Sequence, residues 1–264
     1  MKESSAVSVL AEKDLWFRRY HHGSVTSDLT LLCFPHAGGS ATWFWPLSAD
    51  LAGVAEVLAV QYPGRQDRYT EPPIGSIDGL VDRLLPLVEA MTDRRIVLFG
   101  HSMGACVAFE LARRLGSTTR LLGLVVSGRP VPSKPHRGDV HRRDDAGVIA
   151  EMRRLAGTDP RLLGDDEVVR MIVPAVRADF QAVETYRYRP GSPLRCPVSV
   201  FTGTEDPQVT VAEARAWERL TDASFILRTF PGGHFYLAEQ RAAVVAALVD
   251  DLTRFAVGNA ALHH

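Results

Sequence analysis

Five residues constrain this chain more than any others: Gly100-His101-Ser102-Met103-Gly104. The apolar run Ile96-Val97-Leu98-Phe99 precedes them. Ala105-Cys106-Val107-Ala108-Phe109-Glu110-Leu111-Ala112 follows, with the pattern of a buried helix. A G-x-S-x-G between a strand and a helix is a nucleophile elbow. The turn is tight enough to strain the serine backbone, and glycines two residues to either side keep side chains from colliding. The hydroxyl is then held up at the end of a sheet, beside a helix N-terminus that favours developing negative charge. The alternative reading is a Gly-rich strand-to-helix turn with a structural serine.

Short apolar runs alternate with helical patterns along the rest of the chain. Strands are expected at 29–34, 56–61, 96–99, 122–127, 198–202 and 226–230. They are rich in Val, Leu, Ile and Phe without strict alternation, as strands buried on both faces of a parallel sheet are. Helices are expected at 43–51, 77–91, 103–115, 211–220 and 241–255. This order implies a doubly wound α/β fold with a mostly parallel sheet. Residues 15–20 are a candidate antiparallel edge strand. At 264 residues the chain fits one large α/β domain, with room for an insertion.

That insertion is expected at about 130–193. Pro130-Val131-Pro132-Ser133-Lys134-Pro135 opens it and Arg195-Cys196-Pro197 leads out of it. Between them no strand is evident, and amphipathic helical stretches fall near 144–156, 166–173 and 174–186. About 60 residues is too long for an ordinary connection. Either these helices decorate the domain or they form a lid over the site. The lid reading is preferred, because the segment leaves the strand next to the elbow strand.

Composition removes several classes. A net charge of −1 gives no electrostatic footprint for nucleic acid. No apolar stretch reaches the roughly 20 residues of a membrane span. Residues 1–14 mix Lys2, Glu3, Glu12, Lys13 and Asp14 with no apolar stretch between, so no secretory signal is read there. Three cysteines, Cys33, Cys106 and Cys196, sit in apolar runs and do not suggest disulfides, which points to a reducing cytoplasm. No Cys/His spacing resembles a zinc site.

Serine at its free pKa is a poor nucleophile and needs a base, which in turn needs an orienting acid. In this strand–turn–helix setting both partners come later in the chain, each just after a strand. After 198–202 comes Gly203-Thr204-Glu205-Asp206-Pro207. After 226–230 comes Pro231-Gly232-Gly233-His234-Phe235. Asp206 is preferred over Glu205 because Pro207 restricts its loop, with Glu205 kept as the rival. His234 is the base. His101 adjoins the nucleophile, but its place in the elbow turns it away from the hydroxyl. The oxyanion of acyl transfer needs N–H donors, each worth about 3–4 kcal/mol. Met103 is the first. Ala37, in Pro35-His36-Ala37-Gly38-Gly39-Ser40, is the second.

Phe34-Pro35-His36-Ala37-Gly38-Gly39-Ser40, Gln61-Tyr62-Pro63-Gly64-Arg65, Gly100-His101-Ser102-Met103-Gly104-Ala105, Gly203-Thr204-Glu205-Asp206 and Gly232-Gly233-His234-Phe235 together resemble the type II thioesterases of polyketide and nonribosomal peptide assembly lines, of the α/β-hydrolase superfamily. The resemblance runs from about Leu31 to Glu239. It implies hydrolysis of acyl thioesters on the phosphopantetheine arms of acyl or peptidyl carrier proteins. Short or aberrant acyl groups are cleared, with no cofactor beyond the arm that the substrate carries. A terminal thioesterase that releases the finished product is the other option, but such enzymes are usually fused to the synthase, and the short segment before the first core strand reads as freestanding; a monomer is expected.

His36, Gly38, His101, Phe180 and Tyr186 are the candidate substrate contacts. Phe180, Tyr186 and Tyr188, with Met152 and Met171, line an acyl channel or form the core of the insertion. Arg65 and Arg68, with Tyr62 and Tyr69, either contact the carrier's phosphate or form a solvated loop with local ion pairs. The ion pairs are preferred. A carboxylesterase or lipase acting on oxygen esters is the competing enzyme, and a non-catalytic binding module is the competing class.

Overall fold

The computed structural model describes residues 12–22, 28–116, 121–134, 138–155 and 165–260. Seven strands make one sheet: β1 (Phe17–Arg18), β2 (Leu29–Phe34), β3 (Glu56–Val60), β4 (Arg95–His101), β5 (Leu121–Ser127), β6 (Val198–Gly203) and β7 (Phe225–Phe230). Their spatial order is β1-β3-β2-β4-β5-β6-β7. β1 pairs antiparallel with β3, and every other neighbouring pair is parallel. The strands expected from the apolar runs are all present, with bounds differing by a few residues, and the edge strand shrinks to two residues.

Successive strand residues point to opposite faces, and each face has its own apolar layer. Leu32, Leu98, Leu124 and Val200 point to one side, where α2 (Ile77–Glu89) and α3 (Met103–Leu115) cover them. Leu31, Val97, Val125 and Phe201 point to the other, against α1 (Trp45–Asp50) and α8 (Arg241–Ala260). Each buried Val, Leu or Phe contributes about 1.5–3 kcal/mol. α2 shows the local logic. Ser76 caps it by accepting the Gly79 N–H. Its buried Ile77, Leu80, Leu84 and Leu87 then recur three or four residues apart.

Some helices differ from expectation. The segment expected at 43–51 opens with a 3-10 turn, Ala41–Phe44, before α1. The one expected at 211–220 is a short helix, α6 (Val211–Arg215), followed by a 3-10 turn. Between β7 and α8 lies the short α7 (Tyr236–Glu239).

The helical insertion leaves β5 and returns to β6. It contains α4 (Asp145–Leu155) and α5 (Asp166–Thr185). Residues 135–137 and 156–164 of the expected insertion lie outside the described residues, as do residues 1–11 of the N-terminal stretch. The two stretches expected at 166–173 and 174–186 are one helix. Pro174 removes one N–H from it. The buried stripe Val173, Val176, Phe180 and Val183 nonetheless continues across the proline, so packing carries the helix through. Val140, Val148, Met152, Val176 and Phe180 form a small core inside the insertion, while Ala182 and Val183 join the main layer over α3. Among the described residues, no helix is long and apolar enough to cross a membrane.

Candidate active site

The elbow joins β4 to α3. Ser102 sits at φ 54°, ψ −112°, a conformation that costs of the order of 1–3 kcal/mol in a non-glycine residue. The surroundings hold it there, since its N–H donates to the Ser127 carbonyl at 2.8 Å. The two glycines are forced by contact. A Cβ on Gly104 would lie 2.0 Å from the Phe34 carbonyl oxygen, and one on Gly100 would lie 2.2 Å from that of Gly104. α3 therefore starts hard against the end of β2, which brings the 35–40 loop beside Ser102.

Asp206 and His234 leave the ends of β6 and β7. Two backbone bonds tie their loops together: the Thr204 N–H reaches the Phe230 carbonyl at 2.8 Å and the Glu205 N–H reaches the Gly232 carbonyl at 3.0 Å. His234 Nδ1 lies 2.9 Å from Asp206 Oδ2, with both side chains buried. Asp206 Oδ1 accepts the Gln208 N–H at 2.8 Å. A carboxylate only accepts, so Nδ1 carries the proton of the neutral ring and Nε2 is left as the basic nitrogen. Glu205 is exposed, and no contact with His234 is found for it. Ser102, His234 and Ala37 line one cavity of about 320 Å³, and Phe180 and Val183 of α5 line it too.

The Ala37 and Met103 N–H groups have no acceptor among the described residues. The neighbouring Gly38 N–H is taken, donating to Asp179 Oδ2 of α5 at 2.8 Å. Asp179 also holds Arg65 in a two-pronged pair at 2.7 and 2.8 Å, and Arg65 donates onward to the Gly39 carbonyl at 2.8 Å. The loop that carries Ala37 is thus pinned from the insertion side.

His36 lines the cavity. Its ring packs edge-on against Trp43 and Phe235. Burial, with the charges of His234 and Arg65, drives its pKa down to about 3, so it is neutral there. Three other candidate contacts fall away. His101 is fully buried beneath the site: its Nδ1 lies 2.9 Å from Ser127 Oγ and its ring backs His234 at 4.9 Å. Burial, with His234 and His36 nearby, holds it well below the ordinary histidine range. Gly38 is occupied by Asp179. Tyr186 packs on the main core and donates to Glu110 Oε1 at 2.5 Å. Of the aromatic and methionine set in the insertion, Phe180 alone among the described residues lines the cavity, while Met152 is insertion core and Met171 is exposed.

Arg65 and Arg68 do form ion pairs, but in buried rather than solvated surroundings. Arg68 is gripped by Glu71 and by the Gln61 carbonyl and lies over the Trp16 ring. Neither guanidinium is free for a partner.

Asp179, Arg129, Glu184 and Gln208 were not singled out from the sequence. Asp179 was detectable as an acidic residue on the apolar stripe of α5. Arg129 stands just past a strand end, the same signal that found Asp206 and His234. Among the described residues no cluster of His, Cys, Asp and Glu could hold a metal ion.

Comparison with known proteins agrees with this architecture. The thioesterase domain model matches residues 29–252. Thioesterase PikA5 of Streptomyces venezuelae is 46% identical over 232 residues, covering 87% of this chain and 82% of that protein. Gramicidin S biosynthesis protein GrsT of Aneurinibacillus migulanus is 34% identical, covering 89% and 93%. The structure of the type II thioesterase BorB from the borrelidin biosynthetic cluster superposes with a TM-score of 0.84 at 51% identity, covering 90% of this chain and 98% of that one. The chain belongs to the thioesterase family, hydrolases acting on thioesters, among the type II thioesterases of polyketide and nonribosomal peptide biosynthesis.

Proposed function

We propose that the protein hydrolyses acyl thioesters on the phosphopantetheine arms of acyl or peptidyl carrier proteins, clearing groups that stall an assembly line. The observation that carries this reading is the single cavity shared by Ser102, His234 and Ala37, with Asp206 bonded to the ring from behind.

Ser102 Oγ attacks the thioester carbonyl while His234 Nε2 takes its proton. The Met103 and Ala37 N–H groups, which have no other acceptor among the described residues, hold the oxyanion. The tetrahedral intermediate collapses, the C–S bond breaks and the pantetheine thiol leaves with the proton from His234. Water, deprotonated by His234, then attacks the acyl-serine, and Ser102 leaves with that proton. Asp206 keeps the ring in the productive tautomer and stabilises its protonated form. Neutral His36 and the Phe180 and Val183 side chains form walls around the acyl group. The insertion acts as a lid, contributing those walls and the Asp179 clasp on the oxyanion loop.

The test compares one acyl chain as a carrier-bound thioester and as a small oxygen ester. Preference for the thioester is expected, and preference for the oxygen ester would replace this reading with a general esterase.

A further inference from the structure

Arg129 stands out among the charged groups lining the cavity. It lies two residues past the end of β5 and is 6% exposed. Its backbone is fixed, with the carbonyl accepting the Trp217 Nε1–H at 2.8 Å. The preceding Gly128 lies against the catalytic end of the site, where an added Cβ would stand 3.2 Å from His234 Cε1. The guanidinium interacts with the Cys106 thiol, which burial pushes up and so keeps neutral.

No carboxylate among the described residues pairs with Arg129. The cavity's other charges are matched. Glu184 accepts the Val140 and His141 N–H groups and pairs with the His141 ring. Arg143 pairs with Asp139, and Arg154 with Glu151. Glu110, one turn beyond Cys106, is held by Arg113 and Tyr186. A buried cation without a counter-ion carries a desolvation penalty of several kcal/mol, which an incoming anion offsets. Arg is also the side chain that grips a carboxylate with two parallel bonds.

We propose that Arg129 is a subsite for an acyl-group carboxylate, so that the cavity accepts thioesters of malonyl type, with a carboxylate one or two carbons beyond the thioester carbonyl. This rests on the hydrolytic reading of Ser102. The anion could also be the arm's phosphate. The acyl carboxylate is favoured because Arg129 lines the same cavity as Ser102 and His234, where the thioester carbonyl would react, whereas the phosphate sits at the far end of the arm.

The test uses malonyl and isovaleryl pantetheine thioesters, which match in shape and differ in charge, each with and without the arm's phosphate. Binding to the Ser102→Ala protein is measured by calorimetry, and kcat/KM with the wild type. At least tenfold tighter binding of malonyl than isovaleryl is expected. The ratio falls to about one in Ser102→Ala/Arg129→Gln and is partly kept in Ser102→Ala/Arg129→Lys. The ratio is read within one protein, so loss of folded material cancels. Equal binding of the two probes, a preference that survives Arg129→Gln, or one that follows the phosphate would overturn the subsite. A wild type that hydrolyses neither probe, while the Ser102→Ala preference persists, would overturn the hydrolytic reading and leave the subsite standing.

Discussion

Arg65 and Asp179 form a buried, two-pronged ion pair between the loop after β3 and the middle of α5, with side chains 9% and 1% exposed. The same carboxylate accepts the Gly38 N–H and the same guanidinium donates to the Gly39 carbonyl. The helical insertion and the loop that carries Ala37 are therefore held by one pair of side chains. Removing one partner of a buried pair leaves the other charged and unmatched, at about 3–5 kcal/mol. Asp179→Ala is expected to lose stability on that scale in urea unfolding. It should also lower kcat more than it raises KM, because the Ala37 N–H loses its fixed aim. Unchanged kcat in folded protein would separate the clasp from the chemistry.

Asp206 and Glu205 are adjacent in sequence but differ in place, one buried on His234 and the other exposed. Asp206→Asn is expected to lower kcat by about ten-thousand-fold, since the amide reverses the tautomer of the ring. Glu205→Gln should keep wild-type turnover. Steady-state rates on one carrier-bound substrate decide between them.

Stability should depend on acid through His36. Its folded pKa is about 3 against 6.5 ordinarily, and burial is the largest cause. Between those values the unfolded chain binds a proton that the folded chain refuses, so stability rises with pH across that window. The contribution is full above about 6.5 and is lost as pH falls toward 3, at up to about 1.4 kcal/mol per pH unit. His101 shifts in the same direction. His36→Gln should flatten this slope in unfolding curves taken from pH 6.5 to 4, and an unchanged slope would contradict the cause given.

The elbow tolerates no side chain at Gly104, since the group met there is the Phe34 carbonyl of β2. Gly104→Ala is expected to lose more than about 3 kcal/mol, because the clash is with backbone and cannot be relieved by a rotamer change. Thermal unfolding measures it.

The strand–helix order, the elbow and the loops bearing Asp206 and His234 were legible in the sequence. Each rests on local pattern: an apolar run, then a turn, then a polar residue. What escaped depends on long-range pairing. Asp179 meets Arg65 across 114 positions, and nothing local to either residue names its partner. Arg68 reads as a surface arginine until Trp16 and Glu71 close over it. His101 is enclosed by Ser127 and the His234 ring, two neighbours that its place in the elbow does not name. The continuity of α5 through Pro174 escaped because a local breaker was outweighed by the packed stripe on either side.

The central claim is that Ser102 carries the acyl group between two half-reactions. Its most direct measurement is a single turnover on a carrier-bound acyl thioester, quenched early, with the Ser102 peptide weighed by mass spectrometry. The result expected is an acyl adduct on Ser102 that forms with release of the carrier thiol and decays at the rate of acid release, with no turnover in Ser102→Ala. Turnover persisting in Ser102→Ala, or acid release with no adduct on Ser102 at any time, would contradict it.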